Sequence, residues 1–302
     1  MGFFDIFRGK KKDTAPAPTA QTDALSDEQA QRIADAIGEL SKKAAYRLVA
    51  DDSRRPGLCD TKFGGVPYWD MSQEYPVSST GEKLMLLAQI NLSDAADCEL
   101  LPDSGLLQFF IRADDMYGAD FDNCTSNDSF RVVYHKEIDE SVTKEDVLAL
   151  DIPTSTSLAD EDALSPLAGE VAVNVEKTLV SVGVEDFMYD RYLHEAAQTA
   201  GIKLDENKSA FTLLPDDIFD AAAAENAGHW LFGYAYFTQS DPREYTPDLS
   251  DYILLFQMDS DYASETKVEI LWGDVGVGNF FIKPEDLEKL DFSKVMYTWD
   301  CC

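Results

Sequence analysis

The chain has 302 residues, 45% of them apolar, enough to bury a sizeable core as one large domain or two ordinary ones. Asp plus Glu number 57 against 25 for Lys plus Arg, a formal net charge of -32 at neutral pH. A field of that sign repels phosphate backbones and anionic headgroups, which excludes broad nucleic-acid binding and leaves solubility, a basic protein partner or a cation as its uses.

Residues 1–25 read as a flexible basic and Pro/Ala-rich tail: MGFFDIFRGKKK is apolar and then basic, and Pro16 and Pro18 follow among alanines and threonines. Phe3, Ile6 and Phe7 can share one helical face beside Arg8 and Lys10 to Lys12, but one or two turns with few cations make only a weak membrane contact. No apolar run approaches the roughly 18 residues that span a bilayer, and the charges follow the apolar residues, the reverse of a secretory signal. The five cysteines are odd in number and irregularly spaced, so reduced thiols and a cytoplasmic location are expected.

A single domain is predicted over 26–302. Ser26 with Gln29 spells a capping box, and Ile33, Ile37, Leu40 and Ala44 form the apolar stripe of the helix that follows. From about 58 to 135 the pattern is strand-like, with runs at Leu84 to Leu92, Leu106 to Ile111 and Phe130 to Tyr134. A mixed insert, about 136–227, holds a Ser/Thr/Asp-rich loop near 151–166 and a strand near Val171 to Val175. It also holds helices near Asp186 to Ala200 and Asp216 to Asn226, stopped by Gly201 and Gly228. A second strand-rich stretch runs over about 228–290, with a short helix near Pro284, and a C-terminal strand closes the chain at 302.

The two strand-rich stretches repeat one another. KFGGVPYW at 62–69 is echoed by WLFGYAYF at 230–237, aligning Phe63 with Phe232 and Gly64 with Gly233; LLAQINL around Gln89 is echoed by LLFQMDS around Gln257, and GLLQFFI from Gly105 by GVGNFFI from Gly276. The expected fold is therefore α+β: a strand-rich single large domain built from an internal duplication, with peripheral helices. Gln89, Gln108, Gln257 and Asn279 place amides inside apolar strands at matching positions, so each needs specific partners. Those partners are loop backbone within each half or, in the sharper reading, a ligand in one polar pocket between the halves.

Asp114, Asp115, Asp120 and Asp122 make the densest acidic loop, a candidate contact patch. The order of an EF-hand is absent, so turn caps and a solvated rim are favoured over a hard-cation site, and no metal or cofactor is expected. Conventional catalysts are missing: His194 and Glu195 open a zinc-protease pattern, but Gln198 stands where the second histidine belongs. No nucleophile elbow or P-loop is present, and the Tyr297, Trp299, Cys301 alternation reads as a last strand docking on the core.

KFGGVPYW, LLAQINL, LPDSGLLQFFI, DDMYGADFD, FRVVYH, FTQSDPR, WGDVGVGNFFI and the terminal DFSKVMYTWDCC together resemble the YwqG-like bacterial proteins, a family known as a domain of unknown function. The resemblance runs from about Leu58 to Cys302. It implies a soluble intracellular protein of mixed α and β structure without an established activity, and, because some relatives lie beside secreted toxins, an immunity-type or protein-partner role. The function expected is thus a cytoplasmic binding module using its acidic surface on a protein partner, with a small-molecule or metal-dependent enzyme between the two repeats as the alternative.

Overall fold

A computed structural model describes residues 25–155, 165–205, 207–223, 225–261 and 268–302. The readings made for the N-terminal tail, and for much of the Ser/Thr/Asp-rich loop, lie outside the described residues. The first helix, α1 (Asp27–Leu40), is capped as its sequence predicts, Ser26 Oγ accepting from the Gln29 amide while Gln29 Oε1 accepts from the Ser26 amide. Ile33 and Ile37 are buried, but Leu40 is exposed and Ala44 already belongs to the strand β1 (Lys43–Asp51). The helix ends a turn early, with Ser41 as its C-cap, amide and hydroxyl both bonded to Ile37 O.

Then come β2 (Lys62–Gly64), β3 (Met85–Asn91), β4 (Leu106–Ile111) and β5 (Phe130–His135). The middle of the chain gives α2 (Lys144–Leu148), β6 (Leu167–Ala168), β7 (Glu170–Val180), α3 (Tyr189–Thr199), α4 (Ala210–Leu213) and α5 (Asp216–Ala223). The last part gives β8 (Trp230–Leu231), α6 (Pro242–Tyr245), β9 (Ile253–Asp259), β10 (Glu269–Ile270), β11 (Val277–Ile282), α7 (Pro284–Leu287) and β12 (Met296–Asp300). Ten strands form one antiparallel sheet in the order β12, β11, β9, β8, β1, β7, β2, β3, β4, β5, and β6 pairs with β10 apart from it.

The centre of the sheet is the long pair β1 and β7, in register from Lys43 opposite Val180 to Asp51 opposite Ala172. The segment read as an insert thus supplies a central strand, twice as long as its five-residue apolar signal Val171 to Val175, because polar residues of β7 face solvent beyond it. The sheet curls until its two arms face one another across the core: Phe109 of β4 stacks on Phe256 of β9 at 4.4 Å, and Phe130 of β5 meets Tyr297 of β12 at 5.2 Å. The loop after β4 bridges the remaining gap, Tyr297 N donating to Cys124 O and Tyr297 Oη to Tyr117 O.

Backbone features recur in the two arms. Leu87 forms a bulge between β3 and β4, and Leu255 one between β9 and β11. Consecutive left-handed residues occur at Gly64 and Gly65 (φ 65 and 73) and at Phe232 and Gly233 (φ 60 and 86). By conformation Gly64 therefore corresponds to Phe232, one position away from the alignment of Gly64 with Gly233. Shared Phe-Gly letters drew the sequence comparison off register, because one of the two left-handed sites is filled by a phenylalanine despite the cost of that conformation.

Candidate functional site

The four amides are each fully buried. Gln89 stands opposite Gln108, and Gln257 opposite Asn279, on the face of their strands away from the central core of Leu107, Phe109, Phe256 and Phe280. Gln89 Oε1 accepts from Tyr68 N (2.9 Å) and Gln108 Nε2 (2.8 Å), while its Nε2 donates to Leu58 O and Asp60 O, both at 2.9 Å. Gln257 does the same work in the other arm: its Oε1 accepts from Tyr236 N, and its Nε2 donates to Asn226 O and Gly228 O, all at 2.8 Å. Gln108 and Asn279 donate to Tyr68 O (2.7 Å) and Tyr236 O (2.9 Å). Each pair pins the loop that follows β2 or β8 onto its own strands. The structure brings together the members of each pair and leaves the two pairs apart.

Beside these pairs the arms differ. His135, opposite Leu106, meets Gln108 Oε1 through Nε2 at 3.0 Å, and burial pushes its pKa down to about 4, Asp70 pulling weakly the other way. At the matching position opposite Val277 stands Asp300, whose Oδ2 accepts from Thr238 N (3.0 Å) and Gln239 N (2.8 Å). Burial raises the Asp300 pKa against the pull of these two amides and of the Thr238 hydroxyl, while Asn279 Oδ1 is buried without a hydrogen-bond partner among the described residues.

In the acidic loop two aspartates are occupied by the chain itself. Asp114 Oδ1 accepts from Met116 N (3.1 Å) and Gly118 N (2.8 Å), and Asp120 Oδ1 from Asp122 N (3.0 Å) and Asn123 N (2.9 Å). They hold the loop shape, leaving Asp115, Asp120 and Asp122 exposed. The same loop exposes Met116 and Phe121, at 41% and 53%, an apolar pair in the midst of carboxylates. Phe121 rests on Trp299 of β12 at 5.9 Å, Tyr117 packs on that indole at 5.0 Å, and Trp299 Nε1 donates to Met116 O at 2.8 Å. Sequence reasoning found the acids and missed the aromatic half of the patch, because Trp299 lies far away along the chain. Among the described residues no group of three or more His, Cys, Asp or Glu is placed to hold a metal ion.

Two adjoining clefts of about 420 and 430 Å³ share Glu99, Leu100 and Ile253 and lie where segments of both arms meet. Tyr46, Phe232 and Leu287 line them, and Lys177 at the rim pairs with Asp97 at 3.0 Å. A smaller cleft of about 200 Å³ opens between the segment 184–190, α4 and α6. Its wall contains Asp186 and Asp241, which hold the buried Arg243: Nη2 lies 2.9 Å from Asp186 Oδ2 and 2.6 Å from Asp241 Oδ2, Nη1 donates to Tyr252 O, and the guanidinium sits over Phe281 and Phe187. The Ser-Asp-Pro-Arg stretch at 240–243 carries a signal for this centre, an N-cap acid followed by Pro, but the partner Asp186 is invisible from there.

A family model described as a domain of unknown function (DUF1963) matches residues 61–301. The chain belongs to this family. No curated protein matches it. The DUF1963 span takes in both amide pairs, the acidic and aromatic loop, Arg243 and all of β12; α1 and β1 precede it. No helix among the described residues is long and apolar enough to cross a membrane.

Proposed function

We propose that this DUF1963 chain is a cytoplasmic binding module without catalytic activity of its own, engaging a basic protein segment through the loop 114–122. The observation that carries the reading is the exposed Met116 and Phe121, backed by Trp299 and ringed by Asp115, Asp120 and Asp122. An aromatic centre supplies contact energy while surrounding carboxylates steer a cationic partner and set its orientation. The resemblance to YwqG-like proteins supports an immunity-type or regulatory role for that contact. The matched bulges, left-handed pairs and amide brackets of the two arms support a further reading, that the domain arose by internal duplication.

The test is binding of a basic partner protein by the full chain and by its Asp115→Asn/Phe121→Ala/Asp122→Asn variant, at low and high salt. Binding that weakens with salt and is lost in the variant supports the reading; equal binding by both chains rejects it. A second reading, a small-molecule enzyme with its site between the arms, is favoured by the adjoining clefts around Leu100 and Ile253. A ligand screen by thermal shift, with Leu100→Asp as control, separates the two.

A further inference from the structure

We propose that the 200 Å³ cleft between the segment 184–190, α4 and α6 is a second binding site, for one organic cation of guanidinium or alkylammonium type. Three observations converge on it. Its walls combine carboxylates with aromatic rings, among them Glu185, Glu244, Phe187, Phe211 and Tyr245, and Phe211 and Tyr245 stand 81% and 69% exposed at the rim although both are large and apolar-faced. Ring faces attract a cation and exposed rings gain contact area when one is bound.

Glu185 is half-buried and has no ion-pair partner among the described residues; burial and the charge of Asp300 push its pKa up. Asp300 in turn holds the amide of Gln239, a residue of the cleft wall, and has no ion-pair partner among the described residues. Glu185 and Asp300 thus add carboxylates at this wall beyond the two that Arg243 pairs with, and a carboxylate partly taken out of water is costly until a cation arrives. The wall also shows what such surroundings stabilise. Arg243 fills the adjoining space with its guanidinium between Asp186 and Asp241 and its face 4.7 Å from Phe187, so the cleft repeats outside the fold the arrangement that holds a guanidinium inside it. The site is distinct from the loop 114–122 and stands whether or not that loop binds a partner.

The cation is either a side chain of a protein or a free diamine-like molecule, and the experiment distinguishes them. Amide resonances of Gln239 and Ser240 in the labelled full chain are followed while N-acetylarginine amide, agmatine or the uncharged N-acetylcitrulline amide is added. Saturable shifts with either cation and none with the citrulline compound are expected. Tighter binding of the capped arginine points to a protein side chain, and tighter binding of agmatine to a free cation. Glu185→Gln and, separately, Phe211→Ala should each weaken binding about tenfold, the loss of one charge or one ring contact. Phe211 is exposed, so its variant keeps the fold and the test decisive. Equal shifts with the citrulline compound, no saturation with either cation, or undiminished binding in both variants would overturn the proposal.

Discussion

At Gln89 one side chain satisfies two main-chain carbonyls, a main-chain amide and a second glutamine. Leucine fills similar space and meets none of them. Gln89→Leu should therefore destabilise the protein by about 3 kcal/mol or more, since each buried group left unpaired costs roughly 1–3 kcal/mol. Gln257→Leu, which strands Tyr236 N and two carbonyls, should cost a similar amount, and urea unfolding measures both. A loss under about 1 kcal/mol in either variant would show that the amides are not what pins these loops. That polar side chains stood at these positions was legible in the sequence. Their partners were not, because they are main-chain atoms of loops whose approach depends on the left-handed turns at Gly64 and Phe232.

His135 adds a pH dependence of defined sign. Its pKa is about 4 when folded and near the ordinary 6.5 when unfolded, so between those values the unfolded chain binds a proton that the folded chain refuses. Stability from the neutral imidazole is complete above about pH 6.5 and declines as pH falls toward about 4, by up to about 3 kcal/mol. The cost of His135→Gln, determined by denaturant unfolding, should be largest near neutral pH and shrink over that interval. A constant cost would mean that folding leaves the His135 pKa unshifted.

Among elements, local signals and tertiary demands part company at identifiable residues. The cap at Ser26 was readable because both of its partners lie within one turn. The stop at Ser41 was hidden under a helical stripe that β1 continues by coincidence, with Ala45 buried where Ala44 was expected. The helix expected from Asp186 begins instead at Tyr189, because Asp186 is spent on Arg243 and on the Met188 amide. That buried centre joins α6 to the segment before α3. Arg243→Met should leave two buried carboxylates without their cation and cost about 3–5 kcal/mol in equilibrium unfolding. Adding Asp186→Asn and Asp241→Asn to the same chain should recover part of the loss; a triple variant worse than the single one would show that the carboxylates stabilise the fold by other means.

The whole molecule is a sheet whose arms extend from β1 and β7 and curl to share a core of phenylalanines. The two strand-rich stretches were legible in the sequence, but the curl was not, since it depends on contacts such as Phe109 on Phe256 between strands that never pair. The same closure sets the loop 114–122 on Trp299 and so makes a mixed acidic and aromatic surface out of what reads, in sequence, as a run of aspartates. Titration of the full chain with an arginine- and lysine-rich peptide carrying a central aromatic residue bears most directly on the binding-module reading. Affinity should fall steeply with added salt and drop at least about tenfold in the Asp115→Asn/Phe121→Ala/Asp122→Asn variant, about 1.4 kcal/mol, while its unfolding midpoint stays unchanged. A variant that binds as the natural chain does, or a natural chain that ignores the peptide at low salt, would contradict it.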